Sequence, residues 1–226
     1  YAEFGNYEVQ ITLPDNYVVA ATGDLQNASE ADWLKNKQPF TRNLKAAKKA
    51  EQKKGAGMSE IPSSAKTKTL QYKQNNVHDF AWFADKTFSV KTDTLQLPSG
   101  KIITANAFYY SENKENWTNS ITMIKRAILT KSKWLGEYPY NVVSVVDGGN
   151  GGGMEYPTIT LLDDGGSEKS LDFVIYHEVG HNWFEAILGT NERLHPWMDE
   201  GMNTYYDNRY SMQQYGNTNI EIGRTK

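Results

Sequence analysis

The sequence predicts an α+β fold, and three observations carry that prediction. The first third is rich in alternating and β-branched runs. From about residue 100 the pattern becomes strand, helix, strand and a short edge strand. The chain then ends in two helical segments joined by a loop. Strands that gather first and helices that gather last give segregated layers rather than a doubly wound α/β sheet. No internal repeat is present.

The elements follow in order. Tyr7-Glu8-Val9-Gln10-Ile11-Thr12-Leu13 alternates, and Pro14-Asp15-Asn16 turns the chain into Tyr17-Val18-Val19-Ala20-Ala21-Thr22. With Gly23-Asp24 closing it, this reads as a β-hairpin. Strands are expected at 67–73 and 87–92. Between the hairpin and these strands, residues 30 to about 60 change composition. Lys45, Lys48, Lys49, Lys53 and Lys54 suggest a polar helix, followed by Gly55-Ala56-Gly57 and Pro62-Ser63-Ser64. No aromatic residues interleave with these lysines, which favours a solvated insertion over a basic binding patch. A strand is expected at 102–110. A helix is expected at 117–135, with Ile121, Ile124, Ile128 and Leu135 on its apolar face. Residues 140–146 read as a buried strand, 154–162 as another, and Asp147-Gly148-Gly149-Asn150-Gly151-Gly152-Gly153 lies between them. A largely buried helix is expected from near Ser167 to near Gly189, with Gly189 as its stop. The last helix is expected from about Trp197 to about Gln213.

Composition excludes some functions. A chain of 226 residues with net charge −3 has no global basic field for nucleic acid. It has no cysteine, so neither disulfides nor a thiolate metal site is possible. No apolar run approaches the roughly 18–20 residues of a membrane span. The opening Tyr1-Ala2-Glu3-Phe4 shows neither an initiator methionine nor a signal peptide, which suits a mature product or a piece of something longer.

The chemistry concentrates in His177-Glu178-Val179-Gly180-His181. On a helix, the two histidines lie one turn apart on one face and can reach a single metal. Glu178, one residue round, can hold a metal-bound water without being a ligand. Zinc takes nitrogen and oxygen ligands tetrahedrally, and a catalytic site leaves one position open. A third ligand is therefore needed. Glu185 and Glu192 compete for that place with Glu200, which stands in Trp197-Met198-Asp199-Glu200-Gly201. Glu185 would crowd three ligands along one helix, and Glu192 sits in a loop. Glu200, arriving from a second helix, completes a better tetrahedron. With Zn2+ at His177, His181 and Glu200, Glu178 as general base makes the expected reaction hydrolysis of a peptide bond.

These residues resemble the gluzincin metallopeptidases of the aminopeptidase N family. The resemblance rests on His177–His181, the eighteen residues between His181 and Glu200, the Trp197–Gly201 segment, and Gly152-Gly153-Met154-Glu155-Tyr156 upstream. The last of these matches the family's G-x-M-E-N strand in a bacterial-type G-G-M-E-Y-P form. Tyr156 and Asp199 depart from the asparagines usual at their positions. Val77-His78-Asp79-Phe80-Ala81-Trp82 is similar to the segment closing the family's N-terminal β-domain. The resemblance implies the end of a β-sandwich-like domain in residues 1–90, with the Lys-rich insertion at about 30–60. It implies the zinc-binding part of a thermolysin-like catalytic domain in residues 91–226. It further implies that Glu155 binds the free α-amine of a peptide, and that Gly152, Gly153 and Met154 line that peptide as an edge strand. The expected partners are peptides with a free N-terminus and the remainder of a longer protein. The family's oxyanion-stabilising tyrosine would fall beyond Lys226. Tyr205 and Tyr206 are expected to pack rather than to take that role. Similar bacterial proteins look exported, which points to the periplasm or cell envelope. A thermolysin-like endopeptidase and a catalytically silent peptide-binding member stand as alternatives.

The remaining polar candidates are peripheral. His78 is expected to be structural. His195 reads as a surface or packing residue that could instead tune the site. Asn203 and Thr204 lie one turn beyond Glu200 and could hold its carboxylate.

Overall fold

The computed structural model describes residues 3–40, 61–148, 153–163 and 166–216. These residues form an α+β structure. Strands β1 (Gly5–Pro14), β2 (Val18–Ala21), β3 (Asp24–Leu25), β4 (Thr67–Val77) and β5 (Trp82–Asp85) make two small antiparallel sheets, ordered β1-β4-β3 and β2-β5. Helix α1 (Ala28–Asn36) lies between β3 and β4 in the chain. The five lysines of the expected polar helix lie outside the described residues.

Residues 7–22 do not form the expected hairpin. β1 pairs with β4 along nine registered positions, while β2 pairs with β5. Burial explains the difference. β1 alternates between exposed and covered positions, as a strand with one wet face does, and β4 matches its length. All four side chains of β2 are buried. Val18 and Ala20 pack with Phe108, Val146 and Ile159. Val19 and Ala21 pack with Ile11, Leu70 and Tyr72. A strand apolar on both faces belongs between two layers, so the Pro14-Asp15-Asn16 turn carries the chain across to the other sheet.

The main sheet contains β6 (Ser89–Gln96), β7 (Ile102–Tyr109), β8 (Val142–Asp147), β9 (Met154–Tyr156) and β10 (Ile159–Leu162), in the order β6-β7-β8-β10-β9. It is mixed: β7, β8 and β10 run parallel, while β6 and β9 are antiparallel edges. Helix α2 (Ser120–Leu135) crosses over from β7 to β8. Ile103, Ala105, Ala107, Val143 and Val145 turn towards α2 and α3 (Glu168–Phe184), where Met123, Ile124, Ile128, Leu171, Ile175 and Val179 meet them. Both faces of β8 are thus covered, which accounts for its unbroken burial.

The expected strand at 154–162 is instead a tight hairpin, β9 and β10. It breaks at Pro157-Thr158, where Thr158 takes φ +66°. A β-branched residue avoids that region unless its surroundings hold it. Here its N–H donates to Asn182 Oδ1 on α3 at 2.9 Å, and its Oγ1 accepts from the Gly23 N–H at 2.8 Å. Edge strand β9 is therefore fixed to α3.

Helix α3 begins where Ser167 accepts a hydrogen bond from the Ser170 N–H at 3.1 Å. It ends at Phe184, earlier than expected, and a further turn closes at Gly189 with φ +59°. The last helix, α4 (Glu200–Tyr215), starts three residues later than expected. Pro196–Met198 forms a separate 3-10 turn ahead of it. Asp172 ties α2, α3 and α4 together. It accepts from the hydroxyls of Tyr210 and Tyr215, and it lies 3.3 Å from the Arg126 guanidinium.

Candidate metal centre

Helix α3 is buried along nearly its whole length, so its polar residues are held in place by packing. His177 and His181, one turn apart, bring their Nε2 atoms to 3.3 Å. Glu200, the first residue of α4, places Oε2 at 3.5 Å from His177 Nε2 and 3.9 Å from His181 Nε2. A tetrahedral zinc with bonds of about 2.05 Å requires ligand-to-ligand edges of about 3.3 Å. The three atoms are therefore spaced to share one metal.

The outer ring nitrogens are also committed. His177 Nδ1 meets Asp207 Oδ2 at 2.6 Å, and His181 Nδ1 meets Asp199 Oδ1 at 2.5 Å. With Nδ1 held by a carboxylate, each ring aims its Nε2 towards the shared point. The donor set fits zinc.

Asn203 braces the backbone rather than Glu200. Its Nδ2 donates to the His177 carbonyl at 2.8 Å, and its Oδ1 accepts from Lys131 Nζ at 2.5 Å. Thr204 is exposed, and so is His195. Glu185 is occupied elsewhere, its Oε1 lying 2.5 Å from His78 Nε2. Glu192 lies against Asp199. Tyr206 packs on Phe184, and Tyr205 meets Tyr206 edge-on.

Glu178 is buried beside the histidines, and its Oε2 has no hydrogen-bond partner among the described residues. Burial pushes its carboxyl up to about 7, with the charge on His177 pulling the other way. Gly153 sits directly against it: a Cβ at Gly153 would lie 1.7 Å from Glu178 Oε1. Glu155, two residues on, brings a carboxylate oxygen into a group with His181 and Asp199, all within 4.8 Å. Burial pushes Glu155 up to about 8, and the charges of Glu178, Asp199 and Glu200 add to the effect. Met154 is half-exposed on the same edge strand. Gly152 lies outside the described residues.

The histidines diverge. For His177, burial acts to lower the pKa, but the hydrogen bond and charge of Asp207 prevail and raise it to about 9. Burial, then the neighbouring His177 charge, lowers His181 to about 3. His181 is accordingly neutral, with its single proton on the nitrogen facing Asp199. Asp199 is raised to about 6 by burial.

Two comparisons return nothing: no protein-family model matches the chain, and no curated protein matches its sequence. Solved structures do match. A two-domain M1 zinc metallopeptidase, in a mutant form bound to L-arginine, superposes with TM-score 0.64 at 18% identity, covering 96% of this chain and 43% of that one. The M1 zinc metallopeptidase from Deinococcus radiodurans gives TM-score 0.63 at 18% identity, covering 94% and 42%. Legionella pneumophila aminopeptidase A, in complex with aspartic acid, gives 0.64 at 12%, covering 93% and 23%.

The chain shares the fold of the matching part of these M1 zinc metallopeptidases.

It spans less than half the length of each of these structures. Sequence reasoning missed three residues around the candidate metal centre, Asp207, Asp199 and Lys131. Asp207 stands seven residues after Glu200 and Asn203 three after it, so all three share one face of α4. That phase was available in the sequence, but not the knowledge that the face meets His177. Asp199 was noted only as a departure from the family pattern. Lys131 comes from α2, and nothing local to it signals a place beside the site.

Proposed function

We propose that this chain carries the catalytic centre of a zinc-dependent aminopeptidase. The observation that carries the reading is the convergence of His177, His181 and Glu200 at zinc spacing. Beside it stand a buried Glu178 and an acidic edge strand. The fold likeness to M1 zinc metallopeptidases supports it.

His177, His181 and Glu200 would hold zinc, with Asp207 and Asp199 orienting the two rings. Zinc bound there would supply Lewis acidity, able to polarise a substrate carbonyl and to activate water near neutral pH. Glu178 removes a proton from the attacking water and delivers it to the departing amine nitrogen. Its raised affinity for a proton suits both halves of that task. Gly153 leaves it the room to stand there.

Substrate binding follows from β9. It is the last strand in the order of the main sheet, so an extended peptide can pair along its outer edge at Gly153 and Met154. Gly152 would continue that edge. Glu155 would pair with the α-ammonium at the peptide's end, a charge the surrounding carboxylates favour. The residue removed would thus be the N-terminal one.

Two variants of the full-length protein test the reading. Glu178→Gln should retain zinc and lose peptide hydrolysis, so turnover at the wild-type rate would rule out the assigned base. Glu155→Gln should lose the preference for free over N-acetylated peptides. Equal cleavage of both by wild type would instead identify an endopeptidase.

A further inference from the structure

We infer that Lys131 is a positioning residue of the metal centre: its buried ammonium fixes Asn203 and Asp207, and through them the His177 side chain and backbone. This inference rests on the zinc reading of the site.

Lys131 belongs to α2, which supplies no ligand, yet it is 0% exposed. A buried ammonium is tolerated only when its three N–H groups find partners. Nζ lies 2.5 Å from Asn203 Oδ1, 3.6 Å from Asp207 Oδ1 and 4.3 Å from the centre of the Tyr176 ring. Each polar partner also holds His177. Asp207 reaches Nδ1 through its other oxygen, and Asn203 reaches the His177 carbonyl through its amide nitrogen.

The ammonium decides which way these groups face. It can only donate, so the amide of Asn203 must turn its oxygen to Lys131 and its NH2 to His177. It also faces one oxygen of Asp207 at ion-pair distance, which leaves the other turned to the imidazole. Without the ammonium, the amide can flip and the carboxylate can rotate.

The backbone of α3 is adapted to this arrangement. A Cβ at Gly180 would lie 2.0 Å from Lys131 Nζ and 2.1 Å from Asn203 Oδ1. Glycine weakens a helix interior. At position 180, between the two ligands, it leaves the space that the Lys131–Asn203 contact occupies.

The test uses the full-length protein, with zinc affinity measured by competition with a chromophoric chelator. The imidazole nitrogens of the metal-free form are read by NMR. Lys131→Met should bind zinc about 10- to 100-fold more weakly. The His177 ring signals should shift while those of His181 hold. If Lys131→Met does not fold, Gly180→Ala, which keeps the charge but displaces it, should show the same two effects. A folded variant with zinc affinity within about twofold of wild type and unchanged His177 signals would make Lys131 merely structural, overturning the inference. A wild-type protein that binds no zinc would instead overturn the metal-site reading, and this inference with it.

Discussion

Gly153→Ala is a small substitution with a large expected effect. The added methyl would sit 1.7 Å from Glu178 Oε1 and 2.4 Å from its Cδ, against the 3.4 Å of ordinary contact. The carboxylate must therefore retreat by about 1.7 Å, or β9 must move away from α3. Movement of β9 is resisted, because the Thr158 N–H is held by Asn182 and Thr158 Oγ1 by Gly23. Glu178, the proposed general base, would then leave its working position. A displacement of about 1 Å costs on the order of 100-fold in rate, equivalent to about 2.7 kcal/mol at about 1.36 kcal/mol per decade. The expected result is kcat lowered at least about 100-fold with zinc content unchanged. It is measured on a chromogenic aminoacyl substrate with the full-length protein. Turnover within about threefold of wild type would refute the placement of Glu178 against the edge strand.

Two further predictions concern stability. The Glu185 hydrogen bond raises the His78 pKa, and burial raises Glu185. Both groups bind their protons more tightly when folded, so the His78 contribution is complete below about pH 6.5 and that of Glu185 below about pH 4.5, and each fades as pH rises through the raised value. Thermal melting should fall from about pH 6 to pH 8.5, and less steeply in His78→Gln. Identical slopes would dismiss the pair. Tyr210→Phe removes one donor from buried Asp172 and should cost about 1.5–3 kcal/mol in urea unfolding, at an unchanged m-value. A loss below about 0.5 kcal/mol would mean that Tyr215 and Arg126 suffice to satisfy Asp172.

What the sequence disclosed was local. His177, Glu178 and His181 lie within one turn of a helix, so their convergence on one helical face was readable without a fold. Glu200 was reachable by asking where a tetrahedron could be completed. What it hid depended on partners distant along the chain. Residues 18–21 looked like half of a hairpin because nothing local shows that both their faces are covered. The run 154–162 looked continuous because only Asn182 and Gly23 make the unfavourable conformation of Thr158 tolerable. Lys131 resembled any surface lysine of an amphipathic helix, and Gly180 any weak point in one. Each is explained only by the other.

The proposed function depends on His177, His181 and Glu200 sharing one zinc ion. Equilibrium dialysis of the full-length protein against buffered zinc, followed by elemental analysis, tests it most directly. Wild type should retain a single zinc per chain, and His177→Ala, still folded by circular dichroism, should retain none at the same free concentration. Wild type emerging without zinc, or His177→Ala holding as much as wild type, would contradict it.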